Sequence, residues 1–114
     1  MPRRGKNGLL TGRMLYAEEK FSNAVEALAI LPGDARSRLY WAYAECHGVS
    51  PEDIPSKVRR DWRWVKRRLQ KAPPRVAYTG KRKLIKGSYV HIQNRTGSEI
   101  AKRILKIAKA LRYK

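Results

Sequence analysis

A single cysteine, Cys46, means that no intramolecular disulfide can form. Small secreted domains normally depend on several such bridges, so a reducing compartment, the cytoplasm, is expected. Histidine is almost as scarce. His47 and His91 are the only two, and Cys46 adjoins His47 instead of standing at ligand spacing, which argues against a zinc site. Long hydrophobic runs are missing too. The stretch 1–14 is basic but joins only Leu9 and Leu10, and no later segment approaches the length of a bilayer span, so neither export nor a membrane partner is expected.

Acid is the other deficit. Nine Asp and Glu stand against 27 Lys and Arg, a formal net charge of +18. Self-repulsion on that scale exceeds what solubility requires and implies a polyanionic partner. The acids are unevenly placed: Glu18, Glu19, Glu26, Asp34, Glu45, Glu52 and Asp53 fall in the first half, leaving only Asp61 and Glu99 beyond it. An acidic or balanced N-terminal half joined to a basic C-terminal half is expected where one part builds the fold and the other carries a contact surface.

The same shortage of carboxylates argues against the acidic cluster of a metal-dependent nuclease, and no phosphate loop or nucleophile elbow occurs. Acid–base chemistry without a metal would have to use His47 or His91, and His47 is more simply the partner of a helix C-terminal dipole. The chain is therefore expected not to be an enzyme and to need no cofactor.

With 114 residues the chain has the size of one compact domain. Pro2, Gly5, Gly8 and Gly12 among basic side chains cannot build a core, so 1–12 is expected to be a flexible basic arm ahead of a single helical domain, 13–114. Met14, Ala17, Phe21, Val25, Leu28 and Leu31 recur at helical spacing over 13–31, and Pro32 with Gly33 stops the run. Asp34 can cap a second helix with Leu39, Ala42, Tyr43 and Cys46 on one face, ending at Gly48. Ser50, Pro51 and Asp53 start a short turn that Pro55 cuts off.

A third helix, 56–71, sets Val58, Trp62, Val65 and Leu69 in a narrow apolar stripe before Pro73 and Pro74. The last helix is expected to open with Ser98 as N-cap and Glu99 in its first turn, and it carries Ile100, Ile104, Ile107 and Leu111 at the same spacing. Between them, 76–94 has no helical period but contains short β-prone runs parted by Gly80 and Gly87. These suggest a short hairpin that would need support from the helices. The predicted fold is mainly α, a small bundle of about four helices.

The third helix is the first candidate for function. Arg59, Arg63, Lys66 and Arg67 share one side of it, and Lys57, Arg60, Trp64, Arg67, Arg68 and Lys71 the adjoining one. Fixed cations of this density can follow a phosphate backbone, and the arginine fork can also read a guanine or stack on a base. Trp62 belongs to the apolar stripe and is expected in the core. Trp64 points into the basic face, where it would either stack on an unpaired base or take cation–π contacts from Arg60 or Arg68.

A second basic cluster, Lys81, Arg82 and Lys83, sits at the tip of the expected hairpin, where it would touch a groove or simply guard a strand edge. Lys102, Arg103, Lys106, Lys109, Arg112 and Lys114 line the last helix outside its apolar positions as general phosphate contacts. A helix-turn-helix across helices two and three fits poorly, because Pro51 and Pro55 make the connection a detour instead of a tight corner.

The expected function is backbone-dominated, salt-dependent binding of RNA or DNA. The alternative is a phage or mobile-element protein that inhibits or regulates a host nucleoprotein, for example an anti-CRISPR, through protein and nucleic-acid contacts. A basic helix lying on anionic lipid is disfavoured by its narrow apolar stripe. A short chain whose own core is incomplete would also have reason to form a homodimer.

Overall fold

The computed structural model describes residues 12–31, 34–71, 74–78, 84–88 and 92–113. Among the described residues, four helices, a pair of short 3-10 turns and two paired strands make a mainly α bundle, as the periodicity predicts. Helix α1 spans Gly12–Ile30, so Gly12 belongs to the helix and not to the expected arm, and Met14, Ala17, Phe21, Ala24 and Ala27 are buried along one face. Helix α2, Ala35–Cys46, packs closely on α1 through Leu39, Ala42 and Cys46. Asp34 is extended, and its carboxylate accepts the backbone N–H of Ser37 at 2.9 Å, the expected N-cap. That hydrogen bond holds the Asp34 carboxyl below its ordinary range.

The connection after α2 is the predicted detour, built from 3-10 turns at Pro51–Asp53 and Ser56–Val58. Asp53 is buried there. It accepts the N–H of Ser50 and pairs with the Arg13 guanidinium, which ties the start of α1 to this connection. Helix α3, Arg59–Lys71, then buries Trp62, Val65 and Leu69. Strands β1, Arg75–Tyr78, and β2, Leu84–Ser88, form an antiparallel pair, with Arg75 opposite Ser88 and a register shift between Ala77 and Tyr78. Strand β2 lies against α2, the helical support that two isolated strands require.

Helix α4, Asn94–Arg112, packs on α1, α2 and α3 and completes the core with Ile100, Ile104, Ile107 and Leu111. Its start departs from the sequence expectation. The N-cap is Gln93, so Ser98 and Glu99 lie inside the helix. Ile92, buried just before the cap, has its Cγ2 beside the buried Gly97 of the first turn, at a distance where an alanine would also fit in ordinary contact. A glycine costs a helix interior about 1 kcal/mol relative to alanine and reads locally as a breaker, but here the helix runs through it, with the Gly97 N–H donating to the Gln93 carbonyl at 2.9 Å.

Trp62 is the centre of the core, as expected. Its ring meets Phe21 edge-on at 4.8 Å, and its indole N–H donates to the Val49 carbonyl at 2.8 Å. Cys46 is fully buried nearby, with Sγ 3.5 Å from the Ala42 carbonyl, and burial pushes its thiol up to about 12. Ellman's reagent is therefore expected to leave Cys46 unmodified in the native protein and to titrate it on unfolding; rapid native labelling would contradict the burial. Because the folded pKa lies above the unfolded one, the thiol's contribution to stability is complete below about pH 9 and is lost as pH rises from there towards 12. Thermal melts between about pH 8 and pH 11 should accordingly show a larger loss in the wild type than in Cys46→Ser.

Candidate nucleic-acid interface

Helices α3 and α4 run antiparallel, which the side-chain contacts along their seam make plain. Lys57 and Val58 lie beside Lys106, Lys109, Ala110 and Tyr113. Further along, Asp61 meets Arg103 and Lys106, and Arg68 reaches the Thr96 hydroxyl at 3.4 Å. The two basic helices of the sequence are thereby brought edge to edge.

Asp61 is the hub of this seam. Its carboxylate is buried, with one oxygen 3.1 Å from Arg103 Nη1 and the other 3.1 Å from Lys106 Nζ. Arg103 also donates from Nε to Glu99 at 3.1 Å, one helical turn away on α4. The guanidinium of Arg103 lies over the Trp64 ring, 4.1 Å from its centroid, and that of Arg68 stands 5.4 Å from the same ring. Trp64 is thus half-buried against the core and fixes two cations, instead of standing free as an exposed indole. Of the two cation–π partners named by helical spacing, Arg68 is present, and Arg103 takes the place of Arg60.

The side formed on paper by Arg59, Arg63, Lys66 and Arg67 is divided. Arg59 turns back over the connection and donates to the carbonyls of Ile54 at 3.1 Å and Glu52 at 3.5 Å. Lys66 is half-buried, with its ammonium 5.1 Å from the Trp62 ring centroid. Both serve the fold. Arg60, Arg63, Arg67 and Lys71 remain exposed on the outer ridge of α3, and among the described residues none has an ion pair or side-chain hydrogen bond.

On α4, Lys106 and Lys109 face Lys57 in the 3-10 turn just ahead of α3. Lys102 instead borders a shallow depression shared with Val25 and Leu28 of α1, on the other flank of the helix. The Lys81, Arg82 and Lys83 cluster and the arm 1–11 lie outside the described residues.

Electrostatically the face is one-signed. The only acids on α3 and α4 are Asp61 and Glu99, and Arg103 and Lys106 already occupy them. No three of His, Cys, Asp and Glu converge among the described residues as metal ligands, and none of their helices is long and apolar enough to cross a membrane. What the arrangement offers chemically is a set of fixed cations. Sequence reading overlooked Asp61 and Tyr113. For Asp61 there was a signal, since it is the only acid between Asp53 and Glu99.

The setting of Trp64 leads to a clear expectation for Trp64→Ala. With Arg103 over the ring, a base has little room to stack, so if the face binds nucleic acid the variant should lose affinity for single strands and duplex by the same modest factor. Stability should fall by about 1 to 2 kcal/mol through lost packing and cation–π contact. A loss confined to single strands, seen in parallel titrations, would show instead that the ring stacks on bases. Comparisons with protein families, curated proteins and solved structures find no match to this chain.

Proposed function

We propose that the protein binds RNA or DNA through the α3–α4 face, gripping the phosphate backbone with Arg60, Arg63, Arg67 and Lys71. The observation that carries this reading is the separation of roles among the cations. Arg59, Lys66, Arg103 and Lys106 are committed to carbonyls, a ring or Asp61, while those four stand on one exposed ridge with no side-chain partner among the described residues. From residue 60 to residue 71 the ridge is about 16 Å long at the α-helical rise, enough to follow several phosphates of one strand. Guanidinium forks engage phosphate oxygens in pairs, which suits the three arginines.

Binding of this kind is dominated by charge and by backbone shape. Exposed Gln70 is the one neutral amide beside the arginines that could read a base edge, and the Trp64 ring is occupied by Arg103, so cations make up most of the ridge. Affinity for duplex DNA, single-stranded DNA, single-stranded RNA and hairpin RNA, measured across a salt series, tests the proposal. An equally basic unstructured peptide provides the reference. Binding tighter than the peptide's, with a steep salt slope, supports it. Affinity no better than the peptide's, vanishing at physiological salt, would overturn it and turn attention to a nucleoprotein or acidic protein as partner, the kind a phage inhibitor would meet.

A further inference from the structure

Where the start of α3 passes the end of α4, the surface is concave. Lys57 and Val58 on one side and Lys106, Lys109, Ala110 and Tyr113 on the other line a groove of about 480 Å³. Its chemistry differs from that of the neighbouring ridge. The ridge is convex and mostly arginine, whereas the groove brings together three lysines, compact charges with rotatable donors that can converge on a single group.

Lys106 is held by Asp61, which leaves Lys57 and Lys109 without an acidic partner among the described residues. Val58 and Ala110 contribute only apolar side chains to the floor. Tyr113 is 73% exposed and presents both a ring face and a hydroxyl.

We infer that this groove receives the terminal phosphomonoester of a nucleic-acid strand, with Lys57 and Lys109 on the phosphate and Tyr113 against the last base. The inference rests on the binding function proposed above and specifies its ligand. A backbone diester carries one negative charge. A terminal monoester carries about −1.5 to −2 near neutrality and has three strong acceptor oxygens, so convergent ammonium groups favour it. The volume lies within the roughly 300 to 1,000 Å³ of ligand pockets, a scale that accommodates one nucleotide and not a duplex. A strand lying along the α3 ridge past Arg60 has this groove at Lys57, in the turn that leads into the helix.

The test uses the full chain and one hairpin RNA prepared with either a phosphate or a hydroxyl at its 5′ end. The phosphorylated hairpin should bind about tenfold more tightly, the value of one charge-assisted contact. Lys57→Gln/Lys109→Gln, in which both positions are exposed, should keep its helical circular dichroism and lose that preference. Adenosine monophosphate should compete only weakly.

Tight but equal binding of both hairpins would overturn this inference and leave the backbone-binding function standing. A preference that survives in the double variant would overturn the location. Adenosine monophosphate binding as tightly as the phosphorylated hairpin would replace the strand end with a free nucleotide. Failure to bind either hairpin or any other oligonucleotide would remove the underlying function as well.

Discussion

Changing Arg60, Arg63 and Arg67 together to Gln is expected to weaken binding to duplex DNA on the order of a hundredfold at low salt, and to flatten the slope of log affinity against log salt by about 2 to 3 units. The slope is the more telling readout. Each phosphate neutralised on B-DNA releases close to one counterion, so three lost contacts must appear as a change in slope, whereas a damaged fold would change affinity without that signature. The three side chains are exposed and free of ion pairs and side-chain hydrogen bonds among the described residues, so the variant should melt at or above the wild-type temperature as self-repulsion falls.

Arg59→Gln makes the contrasting control. Arg59 closes the connection onto the Ile54 and Glu52 carbonyls, so its loss should lower stability and leave the salt slope nearly unchanged. If the triple variant keeps the wild-type slope while remaining folded, the ridge is not the contact surface.

Trp62→Ala should have the largest effect on the fold. The side chain is completely buried, meets Phe21 at 4.8 Å and Tyr43 at 5.9 Å, and spends its only donor on the Val49 carbonyl. Truncation therefore removes the ring that joins α3 to α1 and α2, opens a cavity and leaves a buried carbonyl unpaired. The expected cost is about 3 to 5 kcal/mol. Against a total stability of roughly 5 to 15 kcal/mol for a domain of this kind, that removes from about a fifth of the stability to all of it.

Trp62→Phe retains the ring contacts and loses the hydrogen bond, so a penalty of about 1 to 2 kcal/mol is expected. Urea unfolding followed by circular dichroism measures both. A Trp62→Ala cost below about 1 kcal/mol would contradict the core as described.

Much of this architecture was legible from local pattern, and the places where it was not share a cause. Val58, Trp62, Val65 and Leu69 announced their burial because a period of three to four residues survives any choice of partner. Asp34 announced its cap because the bond it forms is three residues long. Ser98 misled for the opposite reason. The true start is at Gln93, just after Ile92 enters the core, and a serine before an acid is only one of several local solutions.

Arg59 and Lys66 looked equivalent to Arg63 on a helical wheel. Packing separated them, because the carbonyls of the preceding connection and the Trp62 ring are within reach of those two alone.

The sequence by itself determined the number of helices, their apolar faces and the concentration of positive charge in the second half, since each is a local or compositional property. Tertiary structure decided which of those charges are available. Asp61 finds Arg103 and Lys106, and Trp64 finds Arg103, across about forty residues of chain, only because α3 and α4 dock antiparallel. No local pattern specifies which cations such docking consumes and which it leaves facing water, and that division is what singles out one ridge of a strongly basic helix as the binding surface proposed here.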